Sequence, residues 1–247
     1  MGDRGSNGVF PSEKWRIVRD IWTSAQVKLP KVMRWKKYFD HFGDIRRQDC
    51  LQHSYAIGFI ADAAILMLAP FIRLDSHLLL TAFQVHDIGE GELGRDVVLS
   101  LKNKYADDDL NEYLAFIERY RSLPTAVFDH YNRAFLLQYC LELDKHQGFP
   151  IEAQCVMAEL AETKRYEALA FHAIEIWDYL LYALEQYQTV ENGYILHIVI
   201  SGHFDQYEKL CLELPGFEHV FWTADVRAWC LRFLREHPPC PCGGYLS

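Results

Sequence analysis

The chain has 247 residues, 50% hydrophobic and 24% charged, which is enough for one large or two small domains with a buried core and excludes collagen, coiled-coil rods and wholesale disorder. Its 25 Lys and Arg against 34 Asp and Glu leave a formal charge of −9, which repels a phosphodiester backbone and argues against a nucleic-acid polymer as partner. No run approaches the roughly 20 uncharged apolar residues of a membrane span, and Met1 to Asn7 lacks the apolar stretch of a secretory signal, so a soluble, cytoplasmic protein with no membrane partner is expected.

Alternating Val/Ile/Thr runs bounded by turn residues hardly occur, whereas apolar residues recur every three or four positions throughout. The expected fold is therefore all-α. Pro11 to Trp22 and Met33 to Phe42 read as short amphipathic helices separated by Lys28-Leu29-Pro30, and Gly43 to Gln52 as a loop carrying Arg46 and Arg47. A long helix is expected from His53 through Ile57, Ile60, Ala64 and Leu68 to Pro70, with His53 on its buried stripe. The next begins at Asp75 or Ser76, both competent N-caps, and runs through Leu79, Phe83 and His86. Gly89, Gly91 and Gly94 then alternate with Glu90, Glu92 and Asp96, so the chain is expected to loosen into a turn that presents acids. Further helices are expected over Asp107–Arg121, Thr125–Asp144 and, after Pro150, one long stretch from Ile151 to Gln188. In that stretch the row Phe171, Ile174, Leu181 is interrupted by Asp178. Trp222, Trp229 and Phe233 mark terminal helices packed on the same core. The seven cysteines lack a framework spacing and read as reduced, mostly buried thiols, and the tail from His237 to Cys242 as a frayed terminus rather than a metal clip.

His53, the adjacent His86-Asp87 and Asp178 thus stand on inward-facing parts of different helices. A buried carboxylate needs a cation, strong donors or a metal, because burying unpaired charge costs several kcal/mol. Two imidazoles and two carboxylates from facing helices make a mixed nitrogen and oxygen site suited to one divalent ion with open positions for water and substrate.

The ordered set His53, His86-Asp87, Asp178 resembles the H, HD, D signature of the HD-domain metal-dependent phosphohydrolases, most closely the bacterial 5'-deoxynucleotidase branch. The supporting motifs are Met33-Arg34-Trp35, Arg46, Gln52-His53-Ser54, Val85-His86-Asp87-Ile88-Gly89-Glu90, Gly94-Arg95-Asp96 and Ile176-Trp177-Asp178-Tyr179-Leu180-Leu181. Gln52 stands where the branch has an acid, and Arg95 is an insertion between glycine and aspartate. The resemblance implies an HD-domain helical bundle over 31–190, an N-terminal helical extension over 1–30, and C-terminal helices with a Cys/Pro/Gly tail over 191–247.

It also implies His53, His86, Asp87 and Asp178 as ligands of one divalent ion, whether Mn, Co, Zn, Mg, Fe or Ni. Glu90 and Asp96 become the catalytic acids that orient or deprotonate water or protonate the leaving oxygen. Arg34 and Arg46 are candidates for phosphate binding because a guanidinium offers a planar double donor, and Trp35 for the sugar or base. His130, His146 and His172 lie where two-metal relatives place extra ligands. The expected activity is hydrolysis of a small nucleotide, foremost a (deoxy)ribonucleoside 5'-monophosphate; the apolar C-terminal segment is equally consistent with a homodimer interface and with a monomer that has one extended core. Triphosphate release from a deoxynucleoside triphosphate, or a non-catalytic nucleotide-binding module that keeps the metal, are the alternatives.

Overall fold

Helices form wherever apolar side chains recur at three- and four-residue spacing. The computed structural model describes residues 13–39, 45–95, 108–191 and 193–237. Within them the chain runs α1 (Glu13–Thr23), a π-helical turn (Ser24–Lys28), a 3-10 turn (Leu29–Lys31), β1 (Met33–Arg34), α2 (Lys36–Phe39), β2 (Gln48–Asp49), α3 (Cys50–Leu68), α4 (Ser76–Val85) and α5 (Ile88–Leu93). It continues as α6 (Asp108–Tyr120), α7 (Thr125–Leu136), a 3-10 turn (Leu143–His146), α8 (Ile151–Thr163), α9 (Arg165–Val190), α10 (Gly193–Glu213), α11 (Phe217–Val220) and α12 (Ala224–Glu236). The all-α class expected from the spacing is the class observed.

Three helices make the centre. α3 buries Ile57, Ala61, Ala64 and Leu68, α4 buries Leu79, Ala82 and Phe83, and α9 buries Ala170, Ala173 and Ile174. The alanines let the backbones approach, and Phe83 stacks on Phe171 at 4.6 Å between centroids. Each fully buried large side chain contributes about 1.5–3 kcal/mol relative to exposure. By length and composition α3 could cross a membrane, and 28% of that stretch is buried; one face packs into the bundle with His53 on it, while Tyr55, Phe59, Leu66 and Met67 are exposed.

α10 covers the other side of α9, where buried Tyr207 donates from its hydroxyl to the Ile176 carbonyl at 2.9 Å and stacks on Trp222. Trp222 and Phe233 are buried, as the terminal aromatics required. The N-terminal segment joins the same core through Leu29, while Ser24 and Lys28 reach Glu92 of α5.

Five local expectations change, the first being that the helix expected over Thr125–Asp144 ends at Leu136. Met33 begins a strand rather than a helix, since Met33 pairs with Asp49 and Arg34 with Gln48 across an antiparallel ribbon. A pairing two residues long leaves no periodicity to read. α3 starts at Cys50 rather than His53, because Asp49 caps it by accepting from the Gln52 backbone N–H while the Gln52 side chain accepts from the Asp49 N–H. Gln52, the departure from the branch's acid, therefore closes a capping box. The glycine-rich stretch after Asp87 is helical and ends only at Gly94, whose φ of 71° forms a left-handed cap. The expected long helix from Ile151 divides at Lys164, which takes φ −130° and ψ 26° and directs its ammonium to Asp75.

Asp75 is the N-cap of α4, accepting from the Leu78 N–H at 3.1 Å and from Lys164 Nζ at 2.8 Å. The Lys164 hydrogen bond holds its carboxyl below the ordinary 3.8. A depressed carboxylate stabilises the fold above its unfolded value, and the effect fades as pH falls through the folded value. Asp75→Asn keeps a competent cap and removes the charge. Thermal melts should show the wild type melting higher at pH 7 and the difference gone at about pH 2.

Candidate metal centre

His53 comes from the buried face of α3, His86 from the C-cap of α4, Asp87 from the turn that follows, and Glu175 and Asp178 from the inward face of α9. His86 Nδ1 lies 3.0 Å from the Phe83 carbonyl, which can only accept, so the ring carries its hydrogen there and leaves Nε2 as a lone pair. His53 Nδ1 lies 2.9 Å from Asp178 Oδ2 and donates to that carboxylate in the same way. The two free Nε2 atoms face each other at 3.2 Å.

Two lone pairs at that separation repel unless a proton or a metal cation joins them. Glu175 Oε1 adds a third acceptor, 3.1 Å from His86 Nε2 and 3.5 Å from His53 Nε2. It is buried and accepts no well-aligned hydrogen bond. Asp87 adds a fourth, with Oδ1 3.1 Å from His86 Nε2 and Oδ2 3.2 Å from Arg34 Nη1. Against three carboxylates, Arg34 is the one permanent cation that ion pairs place at this centre among the described residues.

Proton affinities respond as they would to a site that attracts positive charge. Burial, and then Arg34, oppose charge on His53, but Glu175 and Asp178 outweigh them and raise its pKa to about 9. Burial would push the Glu175 carboxyl up, yet His86 and His53 hold it well below the usual range. Asp87 is likewise lowered, because His86, Arg34 and His53 together overcome its burial. The Arg34 guanidinium is held above its ordinary value by Asp87 and its neighbours, despite burial.

His53, His86 and Glu175 could hold a metal ion, and so could the adjoining Cys50, Asp87 and Glu90. Imidazole with carboxylate is a donor set for Mn, Fe, Co, Ni or Zn, and the orphaned Glu175 oxygen fits a ligand role. Asp178 sits on the Nδ1 side of His53, while the other acceptors gather on the Nε2 side, so Glu175 rather than Asp178 is the α9 acid that faces the two Nε2 atoms. Glu175 was legible in principle: Phe171, Glu175, Asp178 and Tyr182 follow one inward helical face, and the apolar row from Phe171 to Leu181 passed over it.

Glu90 is buried beside this group, its Oε2 3.5 Å from Cys50 Sγ. Asp96 lies outside the described residues. Arg34 is buried at the centre, its guanidinium 5.4 Å over the Tyr179 ring. Trp35 has a left-handed φ of 61°, stacks on Tyr182 at 4.7 Å and meets Tyr179 edge-on.

Arg46 does not join them. Its side chain is 72% exposed and lies 3.4 Å from Glu185. Its backbone is what counts, donating to Gln186 Oε1 and accepting from the Tyr182 hydroxyl at 2.6 Å, which ties the loop to α9. His130 stacks on His77 and bonds Thr81, and His146 bonds Asp109 and the Glu142 carbonyl, so both are engaged elsewhere. His172 lies on α9 one turn before Glu175. The tail beyond His237 lies outside the described residues. Cys50, Cys140 and Cys230 are buried and not disulfide-bonded, with Cys211 half-buried and Cys155 exposed.

No protein-family model, curated protein or solved structure matches this chain.

Proposed function

We propose that the chain is a divalent-metal-dependent phosphohydrolase that removes phosphate from a small nucleotide, foremost a (deoxy)ribonucleoside 5'-monophosphate. The observation that carries this reading is the convergence of His53 Nε2, His86 Nε2, Asp87 and Glu175 on one space, with the Arg34 guanidinium alongside. The ordered resemblance to HD-domain phosphohydrolases supports it, with Glu175 as ligand in place of Asp178.

A divalent ion held by these four side chains would supply Lewis-acid polarisation of a phosphoryl oxygen and acidify a water. Arg34 spends one donor on Asp87, and its remaining N–H groups would bind phosphoryl oxygens. Asp178 keeps His53 in the tautomer that presents Nε2. Glu90, buried beside Asp87, takes a proton from the attacking water as its oxygen bonds to phosphorus, and returns it to the sugar oxygen as the phosphorus–oxygen bond breaks. Trp35, next to Arg34 in the chain and edge-on to Tyr179, would contact the organic part of the substrate.

The test is an elemental count on freshly purified protein followed by assay with Mn²⁺ or Co²⁺ over a nucleotide panel. About one ion per chain and orthophosphate from monophosphates are expected. Tripolyphosphate from deoxynucleoside triphosphates would replace the substrate class, and nucleotide-induced stabilisation without turnover would reduce the protein to a binding module.

A further inference from the structure

In the β1–β2 ribbon Arg34 stands directly opposite Gln48. Residues so placed in an antiparallel pair project from the same face, with Cβ atoms about 5 Å apart. From that face Arg34 reaches Asp87 and lies over Tyr179. Gln48 therefore projects beside it. The flanking chain agrees, since Arg46 is tied to Tyr182 of α9 and His53 to Asp178, which brackets Gln48 along the helix face that carries Glu175.

Gln48 Oε1 is sequestered from solvent and accepts no hydrogen bond, and Trp35 Nε1, on the residue after Arg34, is sequestered and donates none. An unmatched buried acceptor and an unmatched buried donor are each costly, and neither relieves the other here. Trp35 is in addition held in a strained left-handed conformation, which keeps its indole against Tyr179 and Tyr182. Strain and unmatched polar atoms collected beside a cationic guanidinium describe a surface complementary to a polar ligand that also carries an anion.

We propose that Gln48 is a substrate-binding residue whose carboxamide oxygen accepts a hydrogen bond from a hydroxyl or amine on the organic part of a phosphate monoester, next to the phosphoryl group at Arg34. The proposal rests on the phosphohydrolase reading above. Trp35 supplies the matching donor.

The experiment compares wild type, Gln48→Leu and Gln48→Glu, each loaded with Mn²⁺, on dAMP and on p-nitrophenyl phosphate, whose organic part has no hydrogen-bond donor. The ratio of the two kcat/KM values should fall about tenfold or more in Gln48→Leu and recover in Gln48→Glu, which keeps an acceptor. Ribose 5-phosphate separates the sources, because dependence on Gln48 that persists assigns a sugar hydroxyl and dependence that vanishes assigns a base amine. An unchanged ratio, or equal losses on both substrates, overturns the proposal. If wild type hydrolyses no phosphate monoester, the phosphohydrolase reading falls by itself. Gln48 is then judged by calorimetric titration of dAMP, where weaker binding by Gln48→Leu sustains its role and equal or absent binding overturns it.

Discussion

Glu175→Gln should abolish tight binding of a divalent ion, whereas Asp178→Asn should weaken it by about 10- to 100-fold, the range for loss of a partner that orients a ligand. The ranking follows from which side of His53 each acid occupies. Glu175 Oε1 lies near both imidazole Nε2 atoms, 3.1 Å from one and 3.5 Å from the other, and accepts no well-aligned hydrogen bond, so it has an open acceptor to give. A neutral amide there keeps the volume and loses the charge. Asp178 instead receives the Nδ1 hydrogen of His53. An asparagine can turn its NH₂ toward Nδ1, which favours the tautomer with hydrogen on Nε2 and blocks the lone pair in part of the population. Mn²⁺ titration by calorimetry, with a metal count on each purified variant, measures both effects. Retained binding in Glu175→Gln together with complete loss in Asp178→Asn would return the ligand role to Asp178.

Gly89→Ala should be the most damaging single-methyl change in the fold near this centre. A Cβ on Gly89 would lie 2.5 Å from the Glu112 carbonyl oxygen and 2.8 Å from its carbonyl carbon. These are backbone atoms of α6, so no rotamer change relieves the clash, and α5 must move away from α6. Overpacking of this kind costs typically about 1–3 kcal/mol and sometimes more, and a value near 3 kcal/mol lowers Tm by roughly 6–12 °C at this chain length. Gly89 also lies between Asp87 and Glu90, so the displacement should reduce metal affinity along with stability. Gly58→Ala is the control, because a Cβ there meets nothing within 4 Å. In mid-helix that change should stabilise by about 0.5–1 kcal/mol. Thermal melts of the pair decide it, and equal Tm values for the two variants would show that α5 and α6 are not held at this contact.

Much of the centre was legible along the chain. The spacing that carries Ile57, Ala64 and Leu68 inward carries His53 with them, and the spacing through Leu79 and Phe83 does the same for His86. A cap at Asp75 or Ser76, of which the structure uses Asp75, and the terminal aromatics as core followed from local chemistry alone. Arg46 was misplaced because its charge suggested a binding role, whereas its backbone anchors the loop and its side chain faces solvent. Glu175 was passed over because a glutamate beside apolar residues reads as a solvated acid until the neighbouring helices are in place.

What the sequence determined by itself is the helical class and the inward stripes, because these depend on interactions within about one helical turn. Only the tertiary structure decided which ring nitrogen faces which acid, that Gln48 stands opposite Arg34, and that Gly89 meets the backbone of Glu112. Those contacts join residues far apart in the chain, and their geometry is set by how whole helices pack, which no local periodicity encodes.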